Sequence, residues 1–126
     1  MIENFRRFQV GPDPFDRTWD VEFRWQQNGI SIRHADTVDV KYHLFRDGDN
    51  DVQEKVIALS HPDLVKLCVT LNRALTDALV MKLAALHLRE MILSDMDMDK
   101  RLITVTLEDM QRHARTLDQF VTSTVS

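Results

Sequence analysis

An imidazole held beside a carboxylate can take a proton from a bound molecule, because the carboxylate fixes one tautomer of the ring and leaves the other nitrogen as a base. His34 and Asp36 have the spacing for that role. Residues two apart on a strand share a face, and Asn28-Gly29 implies the strand by supplying the two positive-φ positions of a type I′ hairpin. That turn sets Gln27 opposite Ile30, Trp25 opposite Ile32 and Phe23 opposite His34. It turns Ile30, Ile32, His34, Asp36, Val38, Val40, Tyr42 and Leu44 to one inner face. Trp19, Phe23, Trp25 and Tyr42 then line a pocket around His34 and Asp36, between the sheet and the helices. A strand from Ile30 to Leu44 would be about 50 Å long at ~3.3 Å per residue, too long for this chain. A bend at Ala35-Asp36-Thr37 follows, which exposes Asp36 as a turn residue and leaves His34 at the end of the sheet.

Other chemistry-bearing residues fall short of a known pattern. Asp95, Asp97 and Asp99 occupy the first, third and fifth positions of a calcium loop, but Lys100 stands where the loop needs glycine and Thr106 where it needs a bidentate glutamate. The expectation is a solvated acidic loop whose Met96 and Met98 turn toward the core. No metal and no cofactor are expected. Asp47, Asp49 and Asp51 read as a hairpin tip. Cys68 is the lone cysteine, so one chain can build neither a disulfide nor a thiolate metal cage, and its neighbours Leu64, Val65, Leu67 and Leu71 make it a small buried hydrophobe. His61 opens a helix. His87 has Glu90 three residues after it and His113 has Asp109 four residues before it, the spacing of surface partners on helices. No HExxH, CxxC, GxSxG, Walker or dinucleotide-binding motif is present.

Phe5-Arg6-Arg7-Phe8 joins base-stacking to phosphate-binding residue types. The chain around it carries a net charge of -4, with 8 basic against 11 acidic residues through Pro62 and 8 against 9 after it. That field does not favour nucleic acid, and the segment reads as an edge strand or an arm.

The elements that position these residues follow from the breakers. All three glycines and all three prolines lie in the first 62 residues. Turns therefore punctuate the first half, and long helices are permitted in the second. Gly11-Pro12-Asp13-Pro14 is an irregular entry loop. Trp19, Val21, Phe23 and Trp25 alternate with Asp20, Glu22, Arg24 and Gln26, the period of a sheet with one buried face. A second hairpin at Asp47-Gly48-Asp49-Asn50-Asp51 leads to a strand over 52–59. Ser60 caps a helix with Pro62 in its first turn, and Thr106 caps the last helix, with Asp109 three residues on. Ile103 and Val105 mark a further short strand near 101–106. The helix over 76–93 is apolar on two sides: Leu79, Leu83 and Leu86 form a second stripe beside the broad face of Val80, Ala84, Leu88 and Met91. One neighbour does not cover both, so this helix is either central in the fold or meets another subunit.

At 126 residues, 44% apolar and 29% charged, the chain is expected to be a single α+β domain over 1–126. The expected fold has two layers, an antiparallel meander of about four strands with three C-terminal helices packed on one face. No apolar run is long enough to span a bilayer and no secretory leader is visible, so a cytoplasmic protein is expected. The first functional expectation is a non-catalytic interaction module that self-associates as a homodimer through Leu79, Leu83 and Leu86. The alternative is a small enzyme or ligand-binding protein with its pocket at His34 and Asp36.

Overall fold

The computed structural model describes residues 4–29, 36–46 and 52–125, with the backbone alone at 28–29 and 119–125. Among the described residues eight elements follow one another: β1 (Arg7–Val10), β2 (Trp19–Gly29), β3 (Thr37–Arg46), β4 (Val52–Ser60), α1 (His61–Leu71), α2 (Asp77–Ser94), β5 (Leu102–Val105) and α3 (Leu107–Val125). The strands form one sheet in chain order. β1 to β4 are an antiparallel meander, and β5 adds parallel to β4 after the two helices that carry the chain across. The α+β architecture, with strands first and helices after, is the expected one.

The turn that anchored the sequence reading is different. Asn28 and Gly29 do not reverse the chain; both lie in β2, where Asn28 pairs with Val38 and Gly29 with Thr37. The pairing that wins aligns Val21 with Leu44 and Phe23 with Tyr42, so apolar side chains from both strands meet on one face. Register follows that buried pattern over the preference of a single dipeptide. The even-numbered face of β3 survives the correction: Val38, Val40, Tyr42 and Leu44 are buried. The second expected hairpin, at 47–51, lies outside the described residues, although β3 and β4 pair across it from Phe45 and Val52 inward.

A bulge between Phe23 and Trp25 adds one residue to β2 and reverses the alternation beyond it. Trp25 therefore pairs with Lys41 on the outer face, away from Trp19, Val21 and Phe23. Gly11 stands at φ 149°, and a Cβ there would lie 2.9 Å from the Arg17 carbonyl oxygen, so the loop into β2 needs glycine at this point.

Local rules set the helix starts. Ser60 accepts a hydrogen bond from the Asp63 amide, with Pro62 in the first turn, and Thr76 accepts from the Leu79 amide. The Thr106 hydroxyl accepts from the Asp109 amide at 3.1 Å. The inner face of the sheet meets Leu64 and Leu67 of α1, Leu83, Leu88 and Ile92 of α2, and Met110 and Ala114 of α3 in one core. α2 is central to it, since both of its apolar stripes are buried.

Candidate functional site

The residues expected to form a pocket are dispersed. His34 lies outside the described residues. Asp36 is exposed, and its carbonyl accepts the His61 amide at 2.8 Å, which ties the start of β3 to the start of α1. Tyr42 is fully buried, with its hydroxyl donating to the Met81 carbonyl at 3.1 Å and its ring edge-on to Phe23. Trp19 and Phe23 line two separate clefts, and Trp25 is on the opposite face of the sheet from Trp19, Phe23 and Tyr42. Leu79, Leu83 and Leu86, expected at a subunit interface, are 5%, 0% and 4% exposed because the chain itself covers them. The surplus stripe was real, and its partner is the chain's own core.

Several polar clusters sit where the sequence showed only loops and scattered charges. Asp13, in the entry loop, accepts from the amides of Phe15 and Arg17, from the Arg17 guanidinium and from the Trp19 indole at 2.8 to 3.0 Å. Burial pushes its carboxyl up, yet those donors outweigh that and hold it far below the usual carboxylate range. Arg17 in turn lies over the rings of Phe15 and Trp19. These residues, with Gln53, Asp95, Met98 and Asp99, line a cleft of about 410 Å³.

The acidic loop between α2 and β5 is organised by a lysine from the sheet. Lys55 of β4 is 4% exposed, and its ammonium donates to the carbonyls of Met98 and Lys100. Burial pulls its pKa down, while the Asp99 carboxylate pulls the other way. Asp97 pairs with Lys100 and Asp95 approaches Arg17, so cations of the chain itself serve the loop that resembled a calcium site. Among the described residues, no three His, Cys, Asp or Glu side chains gather as a metal-holding group.

His87 and His113 come together between α2 and α3. His87 Nδ1 and His113 Nε2 are 3.1 Å apart, with the rings edge to face, and the residues are 8% and 3% exposed. Their sequence neighbours close the cluster: Arg112 bridges Glu90 and Asp109, and Glu90 Oε2 is 3.9 Å from His113 Nε2. Spacing along each helix pointed to surface pairs of His87 with Glu90 and His113 with Asp109; instead both rings are buried, because the packing of the helices brings the two imidazoles together and sets Glu90 beside His113.

The helices leave the outer face of the sheet open. The registers lay it out in transverse rows. Arg7, Glu22, His43 and Glu54 form one, Trp25, Lys41, Val56 and Leu102 the next, and Gln9, Asp20, Phe45 and Val52 a third. Glu54 is paired with Lys41, His43 and Arg101, and hydrogen bonds from Lys41 and then Arg101 hold its carboxyl down to about 2. The Lys41 ammonium lies 5.6 Å from the centre of the Trp25 ring. Leu102 and Val52 stand 59% and 48% exposed on this face, and Trp25 and Phe45 are half-buried.

No helix among the described residues is long and apolar enough to cross a membrane. Compared with known protein families, characterised proteins and solved structures, the chain matches none.

Proposed function

We propose that this chain is a non-catalytic interaction module that self-associates through the outer face of its sheet. One observation carries the reading: three helices close one face of a five-stranded sheet, and the other face keeps Trp25, Phe45, Val52 and Leu102 at least partly exposed among salt-bridged charges. Apolar anchors set in a polar surround are the composition of a reversible protein interface. A two-fold dimer is the proposed assembly, since a two-fold contact brings the same patch of each chain together. A cytoplasmic location is part of this reading. Light scattering over a rising concentration series tests it: a shift toward twice the monomer mass is expected, and a constant monomer mass up to millimolar protein counts against it.

A second reading, a ligand-binding protein, is favoured by the cleft of about 530 Å³ between β2 and the start of α2. Phe23 and Met81 are half-buried in it, and Arg6, Gln26, Gln27 and Asp77 supply its polar groups. Its volume is in the range of small-molecule sites. Phe23→Ala that leaves the dimer intact but abolishes binding of a small molecule would establish this reading instead.

A further inference from the structure

We infer that the His87–His113 contact is a proton-operated latch that holds α3 against α2 when both rings are neutral and releases it on acidification. The geometry sets the condition. Two ring nitrogens 3.1 Å apart make a hydrogen bond when one carries a proton and the other offers a lone pair. With both rings protonated, two N–H groups point at each other across the same gap, and two positive charges share a site from which water is largely excluded. The contact is then lost, and the helices part.

The surroundings decide how readily the pair takes a proton. From α2, Glu90 faces it; from α3, Asp109 and Arg112 do; from the loop after α2, Asp97 contributes its charge. Glu90, Asp109 and Asp97 favour an imidazolium, but Arg112 is hydrogen-bonded to Glu90 and to Asp109, which neutralises much of their effect. Burial is the largest influence on both rings and disfavours charge. It lowers His87, and burial followed by the neighbouring His87 lowers His113 to about 4. At neutral pH both rings are uncharged and the latch is closed.

What the latch guards is apolar. Met110, Ala114 and Leu117 lie on the same helix as His113 and are buried in the core. α3 packs against α1 and α2 and is no part of the sheet, so it can lift while the β1–β4 meander keeps its pairing. Release would uncover that apolar seam and the α2 surface beneath it. This device is independent of the outer sheet face, which is on the far side of the sheet.

Amide hydrogen exchange tests it on the whole chain at pH 7.5 and pH 5.0, after correction for the intrinsic pH dependence of exchange. From His113 alone, with its ordinary value near 6.5 in the open state, protection of α3 should fall about 30-fold relative to β3 and β4. The double substitution His87→Asn and His113→Gln keeps a polar pair without a titrating ring, and its α3 should show no selective loss over the same range. Equal protection of the wild type at both pH values overturns the latch, as does an equal loss in the double variant. If that variant does not fold, NMR titration of the two wild-type imidazoles decides: midpoints well below the ordinary histidine value support the latch, and midpoints at that value overturn it.

Discussion

At the scale of the residue, the buried polar groups of this chain are held by specific partners, and each arrangement predicts what its loss does. Lys55 is the clearest. Its ammonium satisfies two carbonyls of the loop before β5, so Lys55→Met gains an apolar side chain and leaves Met98 and Lys100 without their donor. Two part-buried carbonyls left without their donor outweigh the apolar gain, and Lys55→Met should lose about 1–3 kcal/mol in urea unfolding. An unchanged midpoint would show that water replaces the ammonium freely. The histidine pair predicts the pH profile. His113 in the fold lies at about 4, below its ordinary 6.5, so the unfolded chain binds the proton more readily. Its contribution is complete above pH ~6.5 and is lost as pH falls toward ~4, and unfolding stability should decline across that window. A flat profile between those limits would mean that the pair titrates as it does in water.

At the scale of the element, what could be read in the sequence was what depends on local spacing. Ser60 and Thr106 begin their helices because a hydroxyl at that position accepts an amide of the first turn, and no distant residue needs to be known. The buried row Val38, Val40, Tyr42 and Leu44 follows from alternation alone. Asn28-Gly29 misled because its turn preference is local, whereas the register of β2 on β3 is decided by the burial of pairs such as Val21 and Leu44, 23 positions apart, and the bulge after Phe23 leaves no mark in the alternation of Trp19 to Trp25. The Asp13 cluster and the histidine pair were invisible for the same reason: their donors and acceptors meet only after the chain has folded. α2 shows the limit well. Its two stripes were plain, but whether the second met the core or another subunit depended on its place in the fold. Leu83→Ala should therefore behave as a core truncation, losing about 2–5 kcal/mol of stability, with the association state of the folded protein unchanged. Loss of association without loss of stability would return the stripe to the interface.

At the scale of the whole molecule, the helices close one face of the sheet, and the outer face is broad, partly apolar and charged in rows. Leu102 protrudes there from β5, and it makes no part of the buried core. Leu102→Glu should change stability by no more than ~0.5 kcal/mol, the usual range for a surface position, while shifting the protein to monomer at concentrations where the wild type associates. The most direct measurement is a set of backbone NMR spectra of the wild-type chain recorded from micromolar to millimolar concentration. Concentration-dependent shifts should concentrate at Trp25, Lys41, Phe45, Val52 and Leu102 and be absent from α2. Spectra that do not change with concentration, or changes confined to the helical layer, would contradict self-association through the outer face of the sheet.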